Sequence, residues 1–123
     1  MMQSLVGIVR NEAEMRQALE AFPALWKRAA SVPVHGNREY NPSWHTALDL
    51  PNLLTAAEAV TRAALQRKES RGGHFRDDFP DKDPAFAKFN LVVRKGPGGE
   101  MTVGQAPIPE MPAELKQVIE EMK

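Results

Sequence analysis

The sequence predicts a mainly α fold with a small appended β-hairpin and a short C-terminal helix. Two long stretches space their apolar residues three and four apart, and each opens on an asparagine able to cap a helix. A third stretch alternates apolar and polar residues and is followed by the turn signal Gly96-Pro97-Gly98-Gly99. At 123 residues the chain is long enough for one domain and too short for two comfortable ones. It divides into residues 1–72, read as helical, 73–87, read as a polar connector, and 88–123, read as the hairpin and final helix.

Leu5, Val6, Ile8 and Val9 are apolar but begin abruptly, and are read as the end of a helix that starts upstream. Asn11 followed by Glu14 has the N-x-x-E spacing of a helix start, in which the asparagine oxygen accepts from an orphan backbone N–H. The helix over about 12–30 carries Met15, Leu19, Phe22, Leu25, Trp26 and Ala29 on one stripe. Pro23 falls inside it and is expected to kink it, because the ring removes one N–H and crowds the carbonyl four residues back. Asn41-Pro42 is the second start signal.

That second helix is expected to run to about Ser70, with Trp44, Leu48, Leu50, Leu53, Leu54, Ala57, Val60, Ala64 and Leu65 facing inward and a bend at Pro51. Arg62, Arg67, Lys68 and Arg71 would place positive charge near its negative pole, and Gly72 would supply a left-handed stop. Phe89, Leu91 and Val93 then alternate with Asn90, Val92 and Arg94 as a strand, and Glu100 to Val103 returns as its partner. Pro112 to Met122 reads as a short helix with Leu115, Val118, Ile119 and Met122 on one face.

Composition narrows the function. Lys plus Arg is 16 and Asp plus Glu is 16, so the chain lacks the excess positive charge that a nucleic-acid binder uses to displace counterions. With no cysteine, thiolate catalysis, disulfides and cysteine-ligated metal are excluded within it. No apolar run approaches the roughly 20 residues needed to span a bilayer. Met1 to Ser4 lacks the basic and apolar segments of an export signal, so a soluble, cytosolic chain is expected.

Chemistry-bearing side chains concentrate in Arg67 to Pro80, where guanidinium, imidazole and carboxylate groups surround a glycine turn. Two readings are open here: an interface or anion-contacting loop, since arginine forks suit carboxylate and phosphate, or a capped helix end with solvated ion pairs. His45 and Asp49 stand four apart and could pair as a base and its orienter, but no activated nucleophile accompanies them, so a small hydrolase has little support. His35, His45 and His74 lack close ligand spacing, and no G-x-G-x-x-G, G-x-S-x-G or H-E-x-x-H occurs. A free-standing helical interaction module remains a second possibility.

Arg67, Glu69, Ser70, Arg71, Gly72, His74, Arg76, Asp78 and Pro80 together spell R-x-E-S-R-G-x-H-x-R-x-D-x-P. This resembles the signature of the carboxyl-terminal helical domain in succinate dehydrogenase and fumarate reductase flavoprotein subunits. Leu50-Pro51-Asn52-Leu53-Leu54 resembles that family's L-x-N-x-L, and Val6 to Asn11 its opening segment. The resemblance covers residues 2–92, and related domains occur in L-aspartate oxidases and adenylylsulfate reductase flavoproteins.

The resemblance implies an antiparallel three-helix bundle similar to a spectrin repeat, forming one C-terminal domain, 1–123, of a larger flavoprotein. It implies FAD in the parent, bound by a separate domain, with a capping domain closing over the dicarboxylate and hydride passing between succinate and the flavin. Partners implied are those FAD and capping domains and an iron–sulfur subunit. The parent complex is expected at the cytoplasmic face of a membrane, with no insertion of this chain. Catalytic and flavin-binding residues of the family fall outside this chain, so none is assigned and the fragment alone is expected to be inactive. The loop Glu69, Ser70, Arg71, Gly72, His74, Arg76 and Asp78 is expected to lie at the junction with the FAD domain, with Arg71, His74 and Arg76 bonding across it and Asp78 orienting a guanidinium.

Overall fold

The computed structural model describes residues 1–122. In chain order the elements are α1 (Met2–Leu5), β1 (Val9–Arg10), α2 (Glu12–Ala29), α3 (Pro42–Gln66), β2 (Phe75–Arg76), a 3-10 turn (Pro84–Lys88), β3 (Phe89–Lys95), β4 (Met101–Pro107) and α4 (Ala113–Glu121).

Both helix starts lie where the caps predict. Asn11 accepts from the Glu14 N–H at 3.0 Å and Asn41 from the Ser43 N–H at 3.1 Å, each satisfying a donor that the first turn leaves orphaned. Helix α2 runs through Pro23 and α3 through Pro51. The two lie antiparallel: the start of α2 meets the end of α3, and further along the Trp26 indole N–H donates to Glu58 at 3.3 Å. Met15, Ala18 and Phe22 are the buried side of α2, and Met15 and Ala18 pack with Ala64 of α3 and Val6, flanked by Met2, Leu5 and Leu65.

The mainly α fold with its hairpin stands; among the described residues two helices are long, α2 and α3, and they form its antiparallel pair. Helix α1 is a single turn, and α4 buries no residue. The physical consequence is visible on α3. Leu48, Leu53 and Val60, expected to face inward, are exposed, because α3 has one long neighbour and its apolar stripe is wider than that neighbour covers.

Local expectations are corrected at four places. Val9 and Arg10 do not continue a helix; they form β1, which pairs in parallel with β2 in the register Val9↔Phe75 and Arg10↔Arg76. The segment 73–87 is therefore more than a connector, since it supplies a strand and a 3-10 turn. Helix α3 ends at Gln66 rather than near Ser70, and Gly72, at φ +59, serves the tight turn in which Arg71 and His74 exchange backbone hydrogen bonds. The hairpin is longer than expected, with β4 reaching Pro107 and the pairs Val93↔Val103 and Lys95↔Met101 beside a turn that Gly99 closes at φ +89. No helix among the described residues is long and apolar enough to cross a membrane.

Candidate functional site

The carbonyls at the carboxyl end of α3 have no partner within the helix. The Arg76 guanidinium supplies one: Nη1 donates to the carbonyls of Ala64 and Leu65 at 3.2 Å each. On its other edge Arg76 donates from Nε and Nη2 to the two oxygens of Asp78, both at 2.6 Å. Asp78 in turn accepts from the Glu12 N–H at 3.0 Å, at the first turn of α2. One ion pair thus joins two helix ends, the cation at the negative pole of α3 and the anion at the positive pole of α2, the favourable sense for both dipoles. Arg76 is wholly buried and stacks over the Phe79 ring.

A second knot forms around Glu69, also wholly buried. Its carboxylate accepts from Arg67 Nη1, from Arg71 Nε at 2.9 Å and Nη2 at 3.0 Å, and from the Asp83 N–H at 2.9 Å. These donors hold its carboxyl at about 2, Arg71 contributing most and burial opposing. Asp78 is likewise lowered to about 2, chiefly by its hydrogen bonds from Arg76. Ser70 ties the strands of the loop together, accepting from the Arg76 N–H and donating to the Phe79 carbonyl, each at 2.8 Å.

His74 meets the Arg67 carbonyl through Nε2 at 3.1 Å. Burial first, and then the charges of Arg10, Arg76 and Arg67, push its imidazole below the usual histidine range, with the carbonyl contact opposing.

All seven residues singled out from the sequence therefore gather in one loop. Their orientations divide them. Glu69, Ser70 and Arg76 are buried and spend their hydrogen bonds within the chain, Asp78 orients Arg76, and Arg71 and His74 remain partly accessible beside the exposed Gly72. Of the two open readings of this loop, solvated ion pairs are excluded for Glu69 and Arg76. His45 and Asp49 make no hydrogen bond to each other among the described residues, and His45 is exposed.

Sequence reasoning missed Arg10. Only 8% exposed, it lies beside this loop because β1 pairs with β2, and burial together with the charge of Arg76 pushes its ionisation below the usual arginine range. No local spacing announces it, since its strand partner is 66 positions away.

The loop and its two helices correspond to known proteins. The family described as fumarate reductase flavoprotein C-term matches residues 1–120, extending past residue 92 through the hairpin and into α4. A fumarate reductase (CoM/CoB) subunit of Methanothermobacter marburgensis is 37% identical over 94 residues, 76% of this chain and 17% of that protein. The fumarate reductase flavoprotein subunit of Mycobacterium tuberculosis is 31% identical over 108 residues, 87% of this chain and 18% of that protein. The structure of Mycobacterium smegmatis Sdh1 in complex with UQ1 superposes with a TM-score of 0.88 at 41% identity, over 97% of this chain and 20% of that one. The chain spans about a fifth of the length of the proteins it matches. By sequence and by fold, it belongs to the family of fumarate reductase flavoprotein carboxyl-terminal domains.

Proposed function

We propose that residues 1–123 form one carboxyl-terminal domain of a FAD-dependent succinate/fumarate oxidoreductase, and that it buttresses the FAD domain through the loop Ser70 to Asp78. The observation that carries this reading is the bare outer face of a fixed loop. A Cβ placed on Gly72 or Gly73 meets no atom within 4 Å, while the residues beneath are held by buried ion pairs. Ile8 at 70% and Phe75 at 39% exposure flank that face, an apolar rim suited to being covered.

The same reading gives α1 the role of third bundle member. Met2 and Leu5 pack on the cluster formed by Val6, Met15, Ala18 and Ala64, where the last turn of a longer helix would sit. It also gives the domain its partners: the FAD and capping domains of the parent chain, and an iron–sulfur subunit in a complex at the cytoplasmic face of a membrane. L-aspartate oxidase is the less supported alternative, since both curated relatives described above are fumarate reductase subunits.

FAD belongs to other domains in this reading. The residues here do not fit it: the parallel pairing of β1 and β2 lasts two residues, and the helix amino terminus it leads into is already filled by the Asn11 and Asp78 side chains. Hydride transfer is the flavin's chemistry when bound. The contribution assigned to this chain is to hold position, and alone it is inactive.

The test is Gly73→Leu in the complete flavoprotein subunit. Gly73 lacks the positive φ of Gly72, and a Cβ there meets no atom within 4 Å, so the backbone accepts a side chain that adds bulk to the face a neighbour would cover. Lower flavin content and a lower melting temperature are expected. A variant that keeps both unchanged removes the loop from the junction.

A further inference from the structure

Around the loop, Arg67, Arg71 and Arg76 face the carboxylates of Glu69 and Asp78, and Arg10 lies beside Arg76 through the pairing of β1 with β2. Glu69 is shared by Arg67 and Arg71, Asp78 is taken by Arg76, and Glu12 touches Arg76 at 4.0 Å while pairing with Arg16. Arg10 has no carboxylate among the described residues. Its one side-chain hydrogen bond is a 3.5 Å contact from Nε to the Ile8 carbonyl. Its terminal nitrogens have no partner and are not sealed from solvent, since every fully buried polar side-chain atom is satisfied. Arg10 as a residue is only 8% exposed, so its stem is fixed and its open terminal nitrogens are held at one place on the surface with no anion of the chain beside them.

Arg10 lines an open groove of about 600 Å3. Arg10 gives it an uncompensated positive charge, Arg67 lines it while already paired with Glu69, and His74 lines it with its imidazole pushed below the usual histidine range; Asn90 adds an amide, Val60 and Leu91 form an apolar wall, and no Asp or Glu lines it.

We propose that this groove is a carboxylate-binding site anchored by Arg10, and that an aspartate or glutamate side chain from the remainder of the longer protein fills it. The charge of the groove selects the carboxylate, for which an arginine fork is the geometric match. Its apolar surroundings select a macromolecular source. Val60 in its wall, with Ile8 and Val9 nearby, lies more than half exposed, and a small free anion would leave that surface wet. The matched relatives extend well beyond this chain, which supplies the covering segment. The inference rests on the docking reading and names the contact that reading lacks.

The experiment compares melting temperatures of the wild-type, Arg10→Gln and Arg10→Lys forms of the complete flavoprotein, each in sodium acetate and in sodium chloride at matched ionic strength. Expected is a clear drop for Arg10→Gln, a smaller one for Arg10→Lys, and no acetate-specific gain in the wild type. An Arg10→Gln variant as stable as the wild type, or more stable because repulsion with Arg76 is relieved, overturns the site. An acetate-specific gain that Arg10→Gln abolishes overturns the acidic side chain as occupant. If Arg10→Gln does not accumulate, Arg10→Lys decides alone, a drop supporting the site and no change overturning it. Should Gly73→Leu disturb the flavoprotein while Arg10→Gln does not, the docking reading survives and this inference falls.

Discussion

Replacing Arg76 by methionine tests the physical centre of the fold. Methionine retains much of the apolar stem but removes two 2.6 Å charge-assisted bonds to Asp78 and the donors to the Ala64 and Leu65 carbonyls. Breaking a buried ion pair by deleting one partner costs about 3–5 kcal/mol. Asp78 retains the Glu12 N–H and is 30% exposed at its side chain, which argues for the lower end, about 3 kcal/mol. The α3 carbonyls, left in buried surroundings, add about 1 kcal/mol even when water reaches one of them. A loss of about 4 kcal/mol is therefore expected, which at this chain length lowers the melting temperature by about 15 °C. Urea titrations of the purified chain followed by far-ultraviolet circular dichroism measure it, provided the slope with urea is unchanged. Arg76→Lys, which retains charge without the planar fork, should lie between. A loss under about 1 kcal/mol for Arg76→Met would refute the assignment of Arg76 as the clasp between α2 and α3.

Acid should unfold the chain through the same loop. Glu69 and Asp78 hold their protons more weakly when folded than the ordinary 4.5 and 3.8, so their contribution is complete above those values and is lost as the pH falls towards about 2; Glu69→Gln and Asp78→Asn should each flatten that part of the stability profile. Met15→Ala should cost about 2–5 kcal/mol by urea titration, since Met15 of α2 is fully buried in the cluster with Val6, Ala18 and Ala64.

What the sequence made legible was local. Asn11 and Asn41 announce their helices because a cap needs only the next three residues, and the hairpin announces itself by alternation around Gly96 to Gly99. What it hid was carried by distant partners. Two-residue strands leave no periodicity, so the pairing of β1 with β2 across 66 positions was invisible, and with it the placement of Arg10 beside the loop. The end of α3 was misplaced for a related reason: the basic residues and Gly72 look like a local stop, whereas the helix stops earlier, where Arg76 reaches back for its carbonyls. The candidate loop stands out in the sequence by its concentration of charged groups, but residue types alone do not say which side chains turn inward, as Glu69 and Arg76 do.

That division is what the proposed contact role of so charged a loop rests on. The buried apolar set is small, Val6, Met15, Ala18, Phe22 and Ala64, and the largest fully buried side chain is Arg76. Order where α2 and α3 meet therefore rests on directional bonds, which fix geometry more narrowly than apolar burial does. Glu69, shared by Arg67 and Arg71, and Asp78, held by Arg76, engage these three arginines from within, leaving the outward surface to Gly72, Gly73, His74 and Phe75, with Arg10 uncompensated at its edge. A reactive site needs a group left free to change its protonation or bonding. Here Glu69, Arg71, Arg76 and Asp78 are immobilised by one another, and among the arginines around this loop Arg10 alone has no carboxylate within the described residues, which is why the proposed contact is placed there.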